Sequence, residues 1–390
     1  MFFLKNKQDC CGCSACLNIC PNKCIKMKAD NEGFLYPYIK EKENCTNCKA
    51  CEKVCPIVKD DVREIIPEVY ACKNKNEIER EESSSGGIFT LLAKQILKKN
   101  GVVYGALFDE RFNVYHNKID NEDELYKLRG SKYTQSNIGD CYKTVKNDLI
   151  NDKKVLFSGT PCQIAGLKSF LKKDYENLYT VDVVCHGVPS PKVYSLYIDY
   201  IEKKYNSKIK KFTFRSKEEG WKNYKLKFEF ENGKIFSQYG YENLYMRGFT
   251  RDLYIRPSCN NCKFKNFMSG SDITLGDYWG IDKVLKDFDD NKGISLVCIN
   301  SNKGKNLFES VLNKIETRNS NIEDAIFENK CIINSVKRHS KSNTFYKKIE
   351  NEDFNKLVSK CIKVRKETKL EYYVRALKNT IKIKLGYTIE

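Results

Sequence analysis

The stretch KKVLFSGTPCQIAGL, residues 153–167, carries the clearest fold signal in this chain. The apolar run up to Ser158 is typical of a buried strand, and the residues after Pro161 have the apolar spacing of a helix. Gly159 and Pro161 shape the elbow between the two, because proline suits the first turn of a helix. A strand that passes directly into a helix is the repeating unit of an α/β sheet. The single thiol at this elbow, Cys162, needs a chemical explanation.

Strand–helix alternation extends in both directions from the elbow. Short apolar strands are predicted at VYAC, VVYGALF and NLYTVDVVC, and helices at GIFTLLAKQILKKNG, CYKTVKNDLIND and SPKVYSLYIDYIEKKY. Gly101 is expected to cap the first of these helices. Residues 208–241 are rich in strand formers and contain an ENG hairpin signal, which predicts a sheet insertion or an extended sheet edge. The pattern predicts a mixed α/β domain over residues 66–335, in two parts, 66–150 and 151–335.

The composition limits the classes of protein to consider. With 390 residues and 41% hydrophobic content, the chain is long enough for two or three domains. No window approaches twenty apolar residues, and the first apolar run is too short for a secretory signal. The chain is therefore predicted to be cytoplasmic. In a reducing compartment, its nineteen cysteines favour metal or redox sites over a disulfide framework.

The formal net charge of +18 does not by itself select a partner. Cysteine thiolates that hold iron–sulfur clusters are counted as neutral in this figure. Each four-thiolate cubane contributes roughly −2, so three cubanes would lower the balance to about +12. A basic balance of that size suits an acidic electron carrier, a phosphorylated cofactor or substrate, or an anionic membrane surface. No nucleic-acid partner is expected.

Residues 1–60 hold ten of the nineteen cysteines and repeat the pattern C-x2-C-x2-C-x3-C-P. This spacing is the bacterial ferredoxin run, in which the fourth cysteine ligates the other cluster. Cluster 1 is therefore assigned to Cys10, Cys13, Cys16 and Cys55, and cluster 2 to Cys45, Cys48, Cys51 and Cys20. Zinc motifs usually present two C-x2-C pairs instead. The pattern predicts a ferredoxin domain with two 4Fe–4S clusters, in which Cys11 and Cys24 are packing residues.

Cys162 is best explained together with three other cysteines. The spacing around it does not fit a phosphate loop, and a nucleophile would need one of only three histidines as a partner. Cys185 ends another predicted strand, and strand-end loops of a parallel sheet open on the same edge. With Cys259 and Cys262 the set has four thiols, enough for a third cubane or one zinc ion. The cubane is favoured over zinc because the chain already carries two predicted clusters. A role for Cys162 as a catalytic nucleophile stays an alternative.

Several segments taken together resemble one family. These are ESSSGGIFTLL (82–92), GSKYTQS (130–136), FSGTPCQIAGL (157–167), VDVVCHGVPSP (181–191) and SDITLGDYWG (271–280). They are similar to segments of the coenzyme F-420 hydrogenase/dehydrogenase beta-subunit family. The segments occur in the same order as in that family, and the resemblance covers nearly the whole chain up to about residue 335. The resemblance implies a flavin-binding α/β domain with FAD, a further 4Fe–4S cluster beside it, and electron transfer to or from a substrate. Members reduce deazaflavins or act in the plant chlorophyll cycle, and some bacterial ones are associated with polysaccharide synthesis.

The resemblance places the flavin contacts in four segments. The residues are Ser85, Gly86, Gly87, Gly130, Ser131, Lys132, Tyr133, Thr160, Gln163 and His186. Hydroxyls and side-chain-free backbone before a helix suit a pyrophosphate or a flavin edge, and Lys132 is expected to stabilise an anionic flavin or bind phosphate. His186 is expected to be a loop donor near the cofactor. The alternatives are a serine N-cap with turn glycines at 83–87 and a surface turn at 130–133. Trp279 is equally suited to the core and to a cofactor wall.

The predicted fold class is thus an N-terminal bacterial-type ferredoxin domain (1–60), a mixed α/β flavin-binding domain and a basic helical tail (336–390). The predicted function is an oxidoreductase that passes electrons, in either direction, between a redox protein such as ferredoxin and a small-molecule substrate. One alternative is an electron-transfer subunit of a larger complex, and another is a zinc-structured binding protein. Apolar residues at 370, 373, 374, 377 and 381 share a helical face. This face suits either peripheral membrane contact or packing on the chain's own domain or an oligomer partner.

Overall fold

The structure is a computed structural model that describes residue 4, residues 6–59 and residues 65–363. The strands are β1 (Ile25–Ala29), β2 (Leu35–Ile39), β3 (Glu68–Asn74), β4 (Val102–Phe108), β5 (Val114–Ile119), β6 (Val155–Gly159), β7 (Leu178–Val183), β8 (Ile209–Ser216), β9 (Lys225–Phe230), β10 (Ile235–Tyr239), β11 (Ile273–Asp277), β12 (Ser295–Ile299) and β13 (Ile315–Ser320). The α-helices are α1 (Ala15–Ile19), α2 (Ala50–Lys53), α3 (Glu77–Glu81), α4 (Ile88–Leu97), α5 (Cys141–Ile150), α6 (Pro161–Leu171), α7 (Pro191–Tyr205), α8 (Leu244–Thr250), α9 (Ile281–Val284), α10 (Asn302–Glu309), α11 (Ile322–Phe327), α12 (Ser342–Lys348) and α13 (Phe354–Cys361). Short 3-10 turns lie at Lys7–Asp9, Glu122–Lys127, Pro257–Asn261, Lys286–Phe288, Leu312–Lys314 and Lys330–Ile332.

An eight-stranded mixed sheet forms the centre of the molecule, in the order β13-β3-β12-β11-β7-β6-β4-β5. The four neighbours β11, β7, β6 and β4 are parallel. Strand β3 runs in the same direction as β11, because both are antiparallel to β12. Five strands therefore end at one edge of the sheet. This carboxyl edge is where open α/β sheets bind their ligands.

Helices cover both faces of the sheet, as the alternating sequence pattern requires. Val103 and Leu156 belong to the hydrophobic cluster that α4 buries on one face. Tyr104 and Phe157, which follow them along the same strands, point into the cluster that α5 and α6 bury on the other face. Successive strand residues point to opposite faces, so this division follows from the chain itself. The predicted mixed α/β architecture is confirmed.

The β-rich segment folds as a separate antiparallel sheet in the order β10-β9-β8. The rings of Phe212 and Phe228 stack across β8 and β9 with centroids 4.2 Å apart. Helices α7, α8, α12 and α13 bury this sheet in one hydrophobic cluster. Residues 336–363 of the predicted tail thus pack on the body of the molecule, while the predicted helical face at 370–381 lies outside the described residues. None of the helices in the described ranges is long and apolar enough to cross a bilayer.

Gly101 helps to end α4, because its N–H donates to the carbonyl of Ile96 at 3.0 Å, but it does not take the left-handed capping position. Helix α4 ends at Leu97, and the left-handed residue that follows it is Asn100, with φ 53°. A Cβ atom at Gly101 would lie 2.6 Å from the carbonyl oxygen of Lys154. The glycine therefore allows the start of β4 to approach the segment before β6, where Val102 N–H donates to that same carbonyl at 2.8 Å.

The N-terminal segment contains the antiparallel pair β1–β2 and the short helices α1 and α2. Its cysteine loop contacts α6 at Gly166, where a Cβ atom would lie 2.7 Å from Cys13 Cβ and 3.0 Å from Tyr142 Oη. Both neighbours are buried and belong to the cluster that contains α6. The glycine brings the ferredoxin-like segment against the helix that begins at Cys162.

We expect Gly166→Val to destabilise the protein by about 1–3 kcal/mol, because overpacking a buried contact forces neighbouring atoms apart. Thermal unfolding would show a lower midpoint for this variant. The matched control is Ala165→Val, at a half-buried position on the same helix. Helix propensity alone would penalise this control more than Gly166→Val, because glycine is the poorer helix former, so a larger loss in Gly166→Val reports the close contact. Equal midpoints for the two variants would contradict the close-contact interpretation.

Candidate functional site

Four of the predicted ligand cysteines surround one cavity at the carboxyl edge of the sheet. Cys162 lies at the start of α6 and Cys185 follows β7, while Cys259 and Cys262 lie in and just after a 3-10 turn. Burial raises the pKa of the Cys185 thiol, and the nearby Cys259 thiol raises it further. The fold thus brings together thiols that lie up to a hundred residues apart in the sequence.

The thiols around this cavity are not arranged for a single ion. Within the described ranges, no three Cys, His, Asp or Glu side chains form a group that could hold one metal ion. Tetrahedral zinc, with Zn–S bonds of about 2.3 Å, needs sulfur atoms about 3.8 Å apart. The eight ferredoxin cysteines do not form such a group either. In a cubane, each of the four thiolates binds a different iron atom.

Thiols of the two ferredoxin runs lie close to each other. Burial raises the pKa of Cys16, and the nearby Cys55 thiol from the second run adds to this effect. Burial likewise raises the pKa of Cys51, with an added effect from Cys20 of the first run. The two sets differ in exposure: the cluster 1 thiols are buried, whereas those of cluster 2 are partly or fully exposed. Cluster 2 is thus the one nearer to solvent.

Three further cysteines lie beside the predicted ligands. The Cys11 thiol interacts with the thiols of both Cys13 and Cys162, so it stands between the cluster 1 loop and the four-thiol cavity. Cys24 Sγ lies 3.4 Å from Cys20 Sγ. Cys331 also lines the cavity, although it is isolated in the chain and belongs to no cysteine motif.

A larger cleft of about 660 Å³ opens at the same edge, within the usual size range of cofactor sites. Two of the predicted flavin segments meet in its wall. Ser131 N–H donates to Ser84 Oγ at 2.7 Å, and the two hydroxyl oxygens lie 3.0 Å apart. Gly87 precedes α4 in a left-handed conformation, and no side chain caps the helix start, which lines the cleft. Free N–H groups at a helix N-terminus attract anions.

Other residues of these segments have structural partners. The Ser85 hydroxyl donates to the carbonyl of Ile294 at 2.8 Å, and Gly86 N–H donates to Ser295 Oγ at 3.0 Å. Gly86 lies behind the cleft wall, where a Cβ atom would be 2.4 Å from the carbonyl oxygen of Cys72. Its role is therefore the close packing of its loop on β3 and β12, which differs from the predicted flavin contact.

Lys132 borders the cleft, but its ammonium group points toward the backbone of its own loop. Lys132 Nζ donates to the carbonyl oxygens of Arg129 at 3.0 Å and Gly130 at 3.2 Å. Desolvation lowers the pKa of Lys132 to about 7. The side chain next to it, Tyr133, accepts a hydrogen bond from Arg215 Nη1 at 3.0 Å. An anion in the cleft would favour the charged form of the lysine.

Thr160 and Gln163 belong to a buried polar network that ends at His116. Thr160 N–H donates to Gln163 Oε1 at 2.9 Å, and Gln163 Nε2 donates to Ser136 Oγ at 2.9 Å. Ser136 Oγ lies 2.9 Å from His116 Nδ1, and Nε2 lies 3.0 Å from the carbonyl oxygen of Ser158. Because a carbonyl only accepts, Nε2 carries the proton and Nδ1 accepts from Ser136. His116 lines the cleft, and the sequence suggested it only as a partner for a nucleophile.

Burial lowers the pKa of His116 to about 4, from about 6.5 in the unfolded chain. The unfolded chain then binds more protons between these values, so the protein should lose stability as the pH falls through this window. The loss amounts to about 3 kcal/mol at most. We expect His116→Gln, which can still donate to Ser158, to show a smaller drop in melting temperature between about pH 7.5 and about pH 5. An equal drop in variant and wild type would contradict this expectation.

His186 lies in the wall between the cavity and the cleft. Its Nε2 atom contacts Asp252 Oδ1 at 2.7 Å, and its ring packs edge-on against Phe249 with centroids 5.2 Å apart. The predicted role as a loop donor would therefore have to use Nδ1.

A second polar group lines the cleft around Arg215, which is 4% exposed. Arg215 Nη1 donates to Asp277 Oδ2 at 2.8 Å, and Trp221 Nε1 donates to Asp277 Oδ1 at 2.9 Å. The rings of Trp221 and Trp279 are parallel, with an interplanar angle of 2° and centroids 4.7 Å apart. Trp279 thus lines the cleft and also packs on the core through the buried Trp221, so it combines the two positions that the sequence left open.

The cleft has the features of a site for a polar ligand. Five of its lining residues have a buried side-chain polar atom without a hydrogen-bond partner: Thr90 Oγ1, Arg129 Nε, Thr134 Oγ1, Arg215 Nε and Asn329 Nδ2. Buried polar groups are normally paired, so these atoms indicate partners that a bound molecule would supply after a small adjustment. Together with the α4 N-terminus and Lys132, they fit an anionic, oxygen-rich cofactor such as FAD.

Comparisons with known proteins agree with this architecture. Residues 9–58 match a 4Fe-4S dicluster domain, residues 69–142 match the N-terminal part of the coenzyme F420 hydrogenase/dehydrogenase beta subunit, and residues 152–325 match its C-terminal part. No sequence match to a curated protein reaches significance. A chain of the xenon-derivatised F420-reducing [NiFe] hydrogenase complex from Methanosarcina barkeri aligns at 16% identity with a TM-score of 0.47, over 70% of this chain and 90% of that one. The two beta-subunit matches span more than half of the sequence, and the chain belongs to the coenzyme F420 hydrogenase/dehydrogenase beta-subunit family.

Proposed function

We propose that the chain is an iron–sulfur flavoprotein oxidoreductase with three 4Fe–4S clusters and one FAD. One observation carries this proposal: residues 183–188 line both the four-thiol cavity and the large cleft. A cluster held by Cys162, Cys185, Cys259 and Cys262 would be separated from a flavin in the cleft by this segment and by Cys331, which also lines both. FAD, when bound, exchanges electrons singly with clusters and in pairs with a substrate.

The residues that would hold the flavin act mainly on its negative charge. The N-terminus of α4 presents backbone N–H groups, and Lys132 supplies a cation at the same wall. Ser84 and Ser131 fix the two loops to each other, so the wall is formed before the cofactor binds. The buried chain from Thr160 to His116 holds the start of α6 in place on the opposite side of the same edge.

The substrate is proposed to be a small molecule that binds beside the Arg215–Asp277 pair and the ring of Trp279. The family name makes the deazaflavin coenzyme F420 the first acceptor to test. A precursor in polysaccharide biosynthesis is the second, for a bacterial setting. The other candidate function, an electron-transfer subunit without its own substrate site, would leave this polar and aromatic part of the cleft unused. A zinc-structured binding protein would leave the dicluster match at residues 9–58 without a role.

Anaerobic purification followed by iron, sulfide and flavin analysis tests the proposal directly. We expect about twelve irons and about one FAD per chain. About eight irons would contradict the third cluster, and a chain that cannot be loaded with flavin would contradict the flavoprotein assignment. Reduction of F420 by the isolated, loaded chain with reduced ferredoxin would distinguish an enzyme from a subunit that only relays electrons.

A further inference from the structure

Arg256 is a fully buried cation whose hydrogen-bond acceptors are all neutral. Its Nε donates to the carbonyl of Cys10 at 2.8 Å, Nη1 to Gln135 Oε1 at 2.8 Å, and Nη2 to the carbonyl of Leu35 at 3.0 Å. Within the described ranges it forms no ion pair with a carboxylate. Buried charges in proteins are normally paired or next to a metal centre. A buried cation without a carboxylate partner indicates that an anionic group binds next to it.

The position of Arg256 connects the cluster 1 loop with the four-thiol cavity. Its own carbonyl accepts from Cys259 N–H at 3.0 Å, so its backbone holds the turn that carries Cys259. Its side chain reaches the loop of Cys10, where Gly12 has φ +73° and a Cβ atom would lie 2.8 Å from Nη1. The ring of Tyr36 covers the guanidinium at 4.4 Å. Water is therefore excluded from around the charge.

Arg256 is also joined to the four-thiol cavity through its backbone, because its carbonyl accepts from Cys259 N–H and Cys259 lines that cavity. Two predicted clusters thus lie beside Arg256, cluster 1 through the Cys10 loop and the third cluster through the turn that carries Cys259. Cluster 2 lies on the exposed side, where water screens distant charges.

We propose that Arg256 is the shared counter-charge of cluster 1 and the third cluster and raises the reduction potentials of both. The inference rests on the third cluster of the proposed function. Each cluster that takes up one electron gains one negative charge, and a fixed cation in a dry site stabilises that reduced form. Arg256 is a positioning and tuning residue, because it touches a ligand loop and not a substrate. It would hold electrons on the two clusters nearest the cleft.

The test is a redox titration of the loaded full-length chain, followed by electron paramagnetic resonance. In Arg256→Gln, two of the three clusters should shift to lower potential, while the third keeps its midpoint. We expect at least a tenfold lower ratio of reduced to oxidised cluster at a fixed potential, which corresponds to about 59 mV for one electron. Arg256→Lys keeps the charge, so the midpoints of both clusters should stay close to those of the wild type.

A second variant avoids the risk that loss of Arg256 prevents folding. Gln135→Glu has the same shape and places a carboxylate oxygen against Nη1, so it should lower the same two midpoints. Lys53→Gln removes an exposed cation close to Cys55 in the sequence and should shift none of them, because water screens it. If both Arg256→Gln and Gln135→Glu contain twelve irons and keep their midpoints, the inference about Arg256 is wrong, while the proposed function stands. Eight irons in the wild type would instead contradict the third cluster of the proposed function.

Discussion

Replacing Cys162 by alanine should remove four of about twelve irons and leave the eight of the ferredoxin pair in place. The thiol lies at the first turn of α6 and shares its cavity with Cys185, Cys259 and Cys262. Three remaining thiolates do not complete the ligand set of a cubane. Iron and sulfide analysis after anaerobic purification would measure the loss.

The matched control is Cys331→Ala, because Cys331 lines the same cavity without belonging to the predicted ligand set. It should keep all of its iron. Cys11→Ala is a sharper control, since the Cys11 thiol interacts directly with that of Cys162. Full iron content in Cys162→Ala, or an equal loss in Cys331→Ala, would show that the ligand set is wrong.

Lys132→Glu should raise the dissociation constant of FAD at least tenfold while the iron content stays unchanged. The substitution exchanges a cation for an anion at the cleft wall that also contains the α4 N-terminus, and an anionic cofactor would then be repelled. A tenfold loss of affinity corresponds to about 1.4 kcal/mol, a modest demand for a charge reversal at a partly buried site. Titration of the flavin-free protein with FAD, followed by flavin fluorescence, would measure the loss.

The control for this variant is Lys127→Glu, an equal charge reversal in the preceding turn. Lys127 is exposed and pairs with Glu124, so its reversal changes the net charge without touching the cleft. Its dissociation constant for FAD should equal that of the wild type. Normal flavin binding by Lys132→Glu would place the phosphates of FAD elsewhere, and a loss in both variants would indicate an effect of overall charge.

Local sequence patterns predicted the elements of the sheet and the elbow at Cys162 because each depends on neighbouring residues. A buried strand needs a short apolar run, and a helix start that contains proline is recognisable within four residues. The rule that parallel strands end at one edge then brought Cys162 and Cys185 together correctly. The repeated cysteine spacing predicted the dicluster ferredoxin domain for the same reason, since it is a property of two short loops.

The remaining features depend on contacts between distant parts of the chain, and no local pattern contains these. Gly86 packs against β12 because β3 pairs with β12 and not with its neighbours in sequence, so the glycine could be mistaken for a flavin contact. His116 is neutral because the folded chain buries its ring, while Ser136 and the carbonyl of Ser158 fix its tautomer. Arg256 lies on an ordinary turn in the sequence, and only the folded chain brings the loop of Cys10 to it.

The segment 183–188 belongs to two compartments at once, and this has a thermodynamic consequence. A molecule that binds in the cleft and shifts this peptide would also change the surroundings of Cys185 on its other side. Linkage is reciprocal, so a change in the charge of the cavity would alter the affinity of the cleft by the same factor. Ligand binding in the cleft and the redox state of a cluster in the cavity would then be coupled through residues 183–188.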